Sequence, residues 1–451
     1  MFNLNKESGD YLKQIRNNIP EKISLLKRAL DSGELPWTAD GKMRIVELGI
    51  GGGESLKELR EQTDGREDVE LLAVDIMPKL VASLKNETGL DGVAADAGAL
   101  PFKDGSVSAV NASAIFHEVS SYGTRRRSSG MGKTEIIFGR EAVLNTLEEL
   151  NRILIPGGQL AYRDVLAPSG DLSQLKTARY FHKSWRSFAG WFMEDFLHSN
   201  LHYHEEKEAV SSETVDGLSL TASVGLQREF QRHYLMFRDF LRNCSPQDFG
   251  VSIHRSDWLD MNKGLKTVTF SLDERLAAHL DLSSLEGHNS AEGLIYRSDS
   301  DRFDKIYDDI IEHYFSELRS GSDIGQKFRK LIGDWKEREG LEHYIYGNIG
   351  DMLNLSCDAS DSTDSHWILF PESSKDIVVA PRFYYNRYLK QVIDEPEKDG
   401  KQMISFKKMT REQARQSLEA IGFSSLAENG GLDSAKVEQL RRRTQAAAES
   451  V

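Results

Sequence analysis

The amino-acid sequence predicts a doubly wound, mostly parallel α/β sheet that carries a large additional α+β domain. Between residues 43 and 166, short β-branched runs alternate with helix-length segments, the pattern of strands that pair in parallel through helical crossovers. The first of those runs ends in a glycine loop, RIVELGIGGGES at 44–55, and such a loop converts a strand into a helix at the carboxyl edge of an open sheet. The 451 residues exceed one ordinary core, so a second body or a large insertion is expected.

The elements follow in order. Residues 8–33 place Tyr11, Ile15, Ile19, Ile23, Leu26 and Leu30 at helical spacing, giving an N-terminal helical segment over 1–40. The core, 41–166, reads as strand 43–48, helix 54–63, strand 69–75, helix 78–87, strand 92–95, strand 107–114, helix 139–154 and strand 158–166. Residues 167–400 are mixed and aromatic-rich and are expected to form an inserted domain for substrate recognition. TREQARQSLEAIGFSSL (410–426) reads as a helix, a Gly-Phe turn and a strand, so 401–430 are expected to close the core and 431–451 to form a tail.

The glycine loop narrows the ligand. A dinucleotide fingerprint G-x-G-x-x-G matches Gly49 and Gly51 but fails at Glu54. A phosphate-binding loop needs Gly-Lys-Ser/Thr, whereas Gly53 is followed by Glu54 and Ser55. The acidic residue Glu47 before the glycines repels phosphate and attracts a cation. S-adenosylmethionine, with its ammonium group and no pyrophosphate, suits that loop. Further strand ends supply polar groups to the same edge: Asp75 where a ribose diol needs an acceptor, Asp96 and Ala97 near an adenine amino group, then Asn111, His117 and Glu118, and finally Arg163 and Asp164.

On the motifs VELGIGGG, AVDI, ADAGALPF and LNRILIPGGQLAYRD, residues 40–166 resemble the Rossmann-like core of class I S-adenosylmethionine-dependent methyltransferases. The resemblance implies that Glu47, Gly49, Gly51 and Gly53 hold the methionine end of S-adenosyl-L-methionine, Asp75 the ribose and Asp96 the adenine. Ser108 departs from the Asp-aliphatic pair that often opens the fourth strand in that family. The histidine after the fourth strand falls where the transferred methyl lies, so His117 is a candidate general base with Glu118 or Asp164 orienting it; the competing reading is a packing residue of the pocket wall.

Other constellations weigh less. GMGKT at 130–134 lacks the first glycine of a phosphate loop and a preceding strand, so 121–135 reads as a loop over the pocket whose Arg125–Arg127 either clamp an anionic acceptor or form a solvated charge run. Phe181, Trp185, Phe188, Phe192 and Phe196 recur on one helical face, which reads as core, or in part as a lid on the pocket. His198 and His202 have helical metal spacing but no intervening glutamate, and no metal is expected. Glu229 and His233 stand four apart on a helix, a stabilising pair before a substrate-facing one.

A net charge of −14 disfavours RNA as a partner. Two distant cysteines, a charged N-terminus and the lack of a membrane-length apolar run suggest a cytoplasmic chain without membrane contact. The expected activity is methyl transfer to an O or N atom of a small-molecule or peptide acceptor. The alternatives are an RNA- or peptide-modifying methyltransferase and an S-adenosylmethionine-using enzyme that transfers no methyl.

Overall fold

MRIVEL buries both faces of its strand, which only a central position in a covered sheet allows. The computed structural model describes residues 19–127, 134–165, 173–181, 187–199, 210–214, 217–242, 244, 246–256, 268–283, 285–290, 293–344, 349–363, 365–380 and 399–421. Two short helices, α1 (Ile19–Lys22) and α2 (Ser24–Ser32), precede β1 (Met43–Leu48). Then come α3 (Glu54–Gln62), β2 (Val69–Asp75), α4 (Pro78–Thr88), β3 (Asp91–Ala94), β4 (Val107–Ser113) and α5 (Phe116–Tyr122). Helix α4 shows why such segments are helical: Pro78 opens it, where no backbone donor is needed, and Gly89 ends it at φ 73°, a conformation that suits glycine.

The segment expected as a loop over the pocket is partly an antiparallel ribbon, β5 (Thr124–Arg127) with β6 (Thr134–Ile137); 128–133 lie outside the described residues. Helix α6 (Gly139–Ile153) and β7 (Leu154–Val165) follow.

The chain then leaves the sheet. A second body contains β8 (Leu175–Phe181), α7 (Ser187–Ser199), β9 (Val210–Thr214), β10 (Gly217–Ser223), α8 (Val224–Arg242), α9 (Pro246–Phe249), β11 (Val251–Ser256), β12 (Val268–Leu272), α10 (Glu274–His279), β13 (Glu286–Ser290), β14 (Gly293–Ser298), α11 (Ser300–Ser320) and α12 (Asp323–Arg338). Its strands form two small sheets, β8-β10-β9 and β11-β12-β14-β13. Its core is aromatic: Phe188, Phe192 and Phe196 on α7 pack with Phe230 and Phe237 on α8 and Trp335 on α12. Phe181 belongs to β8, and Trp185 lies outside the described residues.

After α13 (Ile349–Ser362) the chain returns with β15 (Trp367–Ala380), β16 (Asp399–Thr410) and α14 (Arg411–Ile421). The resulting seven-stranded order is β15-β16-β7-β4-β1-β2-β3. The five strands from β3 to β7 are parallel, and β16 and β15 are antiparallel additions. Helix α14 matches the helix read at 410–426, and the strand expected after it lies outside the described residues.

Alternating side chains along β1 feed two cores. Ile45 faces α2, α3 and α4 through Leu26, Leu56, Leu59 and Leu84, whereas Val46 and Leu48 face α6 through Leu147 and Leu150. Sequence order reverses between β1 and β4, and at such a switch point the flanking crossovers diverge and leave a crevice at the strands' carboxyl ends.

Candidate active site

A cleft opens at that crevice. Its wall includes Glu47, Gly49, Ile50 and Gly51 after β1, Asp75 to Met77 after β2, Ala95 to Ala97 after β3, and Ser113 to Ile115, Glu118 and Tyr122 after β4. The glycine loop is bare for steric reasons. Gly49 stands at φ 75°, and a Cβ there would come 2.8 Å from Cδ1 of Ile115. Gly53, at φ 74°, caps α3 beneath the loop and is not on the cleft wall.

The acidic residues are held by hydrogen bonds that fix their direction. Asp75 Oδ2 accepts from the Ile50 amide at 3.1 Å and Oδ1 from the Met77 amide at 2.9 Å. Burial, opposed by the Met77 amide and helped by the negative charge of Glu118, lifts its pKa to about 6. Glu47 accepts from Asn111 Nδ2 at 2.7 Å, which places Asn111 behind the cleft as support for Glu47. Burial raises Glu47 to about 7, with Asn111 and the Lys22 ammonium opposing. Asp96 Oδ1 accepts from the Gly98 amide at 2.9 Å and Oδ2 from the Arg125 amide at 3.2 Å, which ties the β3 end to the ribbon.

Past β4 the backbone turns through Ala114, the one non-glycine residue at positive φ (58°) among the described residues. That turn costs about 1 kcal/mol or more and carries α5 along the cleft. Glu118 and Tyr122 face the cleft, and His117 lies behind the wall, 8% exposed. Asp164, not Glu118, contacts the imidazole: His117 Nδ1 is 2.7 Å from Asp164 Oδ1. Asp164 is itself fixed by the amides of Phe116 (2.8 Å), His117 (3.1 Å) and Val165 (2.7 Å). On its other side His117 Nε2 is 3.6 Å from Glu342 Oε2, in the segment after α12. Burial disfavours the imidazolium, but Asp164 and then Glu342 outweigh it and hold the His117 pKa well above 6.5. Asp164 is correspondingly held low: burial opposes, and His117 with the backbone amides prevails.

The fold adds partners from distant segments. Lys22, from the N-terminal helices, lines the cleft; burial and the Arg163 charge lower its pKa to about 8. Arg163 is 2% exposed and pairs with Glu21. Tyr344 stacks on His117 with ring centroids 5.7 Å apart, and its hydroxyl lies 2.8 Å from Glu339 and 2.9 Å from Glu342, which share its one proton. Neither Lys22 nor Glu342 carries a motif by which sequence could have singled it out. Phe188, Phe192 and Phe196 lie in the second body's core and not on the cleft wall. Glu229 and His233 are both fully buried, with His233 Nε2 2.8 Å from the Glu342 carbonyl. His202, His204 and Glu205 lie outside the described residues. No described helix is long and apolar enough to cross a membrane.

Residues 46–162 match the model of a family described as a methyltransferase domain. None of the curated proteins matches the chain. Among solved structures, the chain is similar to a SAM dependent methyltransferase from Aquifex aeolicus, at 18% identity over 48% of this chain and 98% of that one, with a TM-score of 0.25. It is similar to the CMeT domain of the citrinin polyketide synthase, at 16% identity over 33% of this chain and 35% of that one, with a TM-score of 0.25. A third is the CurJ carbon methyltransferase, at 14% identity over 46% of this chain and 54% of that one, with a TM-score of 0.25. The chain thus spans 35% of the citrinin synthase structure and 54% of the CurJ structure. The match over 46–162 identifies that stretch of the core as a methyltransferase domain.

Proposed function

We propose that the chain moves the methyl group of S-adenosyl-L-methionine to an oxygen or nitrogen atom of a small or medium-sized acceptor. The observation that carries this reading is the order of groups along the cleft: Glu47 and the glycine loop at the first strand end, Asp75 at the second, Ala95 to Ala97 at the third and α5 at the fourth. In this reading Glu47 faces the cofactor's ammonium group, with Asn111 and Lys22 setting its direction and charge. Gly49 and Gly51 let the methionine end approach the backbone, and Gly53 starts the helix beneath it. Asp75 accepts from the ribose hydroxyls. Asp96 and Ala97 border the adenine.

The fourth strand end, with Glu118 and Tyr122 on the wall and the His117–Asp164 pair behind it, is the acceptor side. A general-base role for His117 requires a free lone pair directed into the cleft. Its two ring nitrogens face Asp164 and Glu342 instead, so this reading assigns His117 to holding positive charge and gives methyl transfer to in-line positioning. The second body, whose segment after α12 reaches α5 through Tyr344 and Glu342, serves as the acceptor-recognition part. Arg228 and Arg232 are buried there, 7% and 8% exposed, so they offer no basic face to RNA.

Two measurements test this. S-adenosylhomocysteine should bind in calorimetry, and Asp75→Ala should weaken it by about 10- to 100-fold through loss of charge-assisted hydrogen bonds; wild-type affinity in that variant removes Asp75 from the ribose site. Radiolabelled methyl should pass from the cofactor into the small-molecule fraction of a cell extract, and mass spectrometry of the product then identifies the atom. Label confined to RNA or protein would replace this acceptor class.

A further inference from the structure

Where α5 of the core meets the segment after α12, His117, Glu118 and Glu342 each present one ligand atom, all within 4.8 Å of one another. Two of these residues are adjacent in sequence, and the third arrives from more than two hundred residues away. The imidazole is set up as a metal ligand commonly is. Asp164 accepts from the Nδ1 side at 2.7 Å, and three backbone amides hold Asp164 in place. With Nδ1–H held by Asp164, a metal ion at Nε2 takes the place of the proton that faces Glu342 in the metal-free chain.

The Nε2–Oε2 separation of 3.6 Å is longer than a good hydrogen bond. Two donors bound to one cation at about 2.1 Å stand roughly 3.0 to 3.4 Å apart at right or tetrahedral angles. Glu342, 1% exposed, is bordered on both oxygens by hydroxyls: Oε2 lies 2.9 Å from Tyr344, whose proton it shares with Glu339, and Oε1 lies 3.3 Å from Tyr122. The His233 ring bonds the Glu342 carbonyl at 2.8 Å and fixes the backbone as well. Glu118 offers a carboxylate oxygen within 4.8 Å of both from the cleft wall, so a cation drawn between the three borders the cleft.

We propose that His117, Glu118 and Glu342 bind one divalent first-row transition-metal ion, which holds an oxygen of the acceptor beside the cofactor. One imidazole with two carboxylates suits manganese, iron(II) or zinc better than magnesium, which prefers an all-oxygen shell. Three protein ligands leave coordination positions for a substrate oxygen. The acceptor class is then a hydroxyl or enol. Its oxygen pair forms the new O–CH3 bond, the S–CH3 pair returns to sulfur as S-adenosylhomocysteine leaves, and the hydroxyl proton, acidified at the metal, passes to solvent. This acceptor assignment rests on the methyltransferase reading, whereas the metal site itself does not. The sequence alone pointed to no metal, because Glu342 joins the pair only in the folded chain.

The test uses the full chain, stripped with a chelator and titrated with Mn2+ by calorimetry and electron paramagnetic resonance. One Mn2+ per chain is expected, with nitrogen coupling from one imidazole in pulsed spectra. Glu342→Gln and Glu118→Gln should each weaken Mn2+ by at least about 10-fold. Should Glu342→Gln fail to fold, Glu118→Gln on the cleft wall decides alone. Substoichiometric Mn2+ in the wild type, absence of nitrogen coupling, or unchanged affinity in Glu118→Gln overturns the site. S-adenosylhomocysteine binding by metal-free wild-type protein is measured separately. If it binds and Mn2+ does not, the metal is wrong and the cofactor reading stands; the reverse result keeps the metal site and removes the cofactor from the cleft.

Discussion

Glu47 shows how one side chain couples folding to ligand charge. Burial raises its pKa from 4.5 to about 7, with Asn111 and Lys22 pulling the other way. The folded chain therefore binds this proton more tightly than the unfolded chain does. Stability contributed at Glu47 declines as pH rises from about 4.5 to about 7, by on the order of 3 kcal/mol, and is level on either side. A cationic ligand reverses the preference, because it binds the ionised form. Affinity for S-adenosylmethionine should accordingly rise from pH 6 toward pH 8, by up to about tenfold for the loss of one proton per unit, and Glu47→Gln should flatten that rise. Calorimetry at pH 6, 7 and 8 on both proteins checks this, and a pH-independent wild-type affinity would remove Glu47 from the ammonium subsite. The place of Glu47 on the cleft was readable because an acid next to glycines at a strand end is a local pattern. Lys22 was not, because its place in the cleft depends on how the N-terminal helices dock.

Elements, rather than single groups, decide where the glycine loop and α5 stand. The loop needs glycine at position 49 for two reasons, the φ of 75° and the approach of Ile115 to where a Cβ would be. Gly49→Ala should cost about 1–2 kcal/mol in backbone strain, with displacement of Ile115 in addition. A melting temperature lowered by a few degrees and a marked loss of S-adenosylhomocysteine affinity are expected; unchanged values in both would show that the loop has room to spare. The five parallel strands between 43 and 165 were legible because their apolar runs are bounded by turn residues, whereas the ribbon β5–β6 was read as a loop. Helix α5 was not, since FHEVSSY spans two turns and shows no full helical period. It exists because Ala114 turns the chain and the amides of Phe116 and His117 find Asp164. Strand β15 was obscured by Pro371. Its place at the sheet edge makes that proline tolerable, as an edge strand leaves one row of amides unpaired.

At the scale of the whole molecule, the second body and the sheet have separate apolar cores. Phe237 is fully buried among Phe188, Phe192 and Trp335, and none of these belongs to the clusters that flank the sheet. Phe237→Ala should therefore destabilise the chain by about 3–5 kcal/mol in denaturant unfolding. Cofactor affinity should stay within about twofold wherever the variant is folded, since no cleft residue is touched. A large loss of affinity at full folding would mean that the second body's packing shapes the cleft as well. The two cores meet at a polar seam, where Tyr122 donates to the Arg338 carbonyl at 3.2 Å and the His343 amide to Ser121 at 2.6 Å. Such a seam positions groups from both parts without merging their cores.

What the sequence determined by itself was everything set by local periodicity and spacing: the alternating strands and helices of the core, the glycine loop, and the acidic ends Glu47, Asp75 and Asp96 that follow from them. These are legible because a strand, a turn or a helix start is specified within about ten residues. The tertiary structure alone decided the partners that meet across long sequence separations. It placed Asp164 rather than Glu118 on His117, brought Glu342 and Tyr344 to the same imidazole, set Lys22 beside Glu47, and put β16 against β7. Such pairings depend on how separate surfaces pack, and no local pattern encodes the distance between two segments until the core between them has formed.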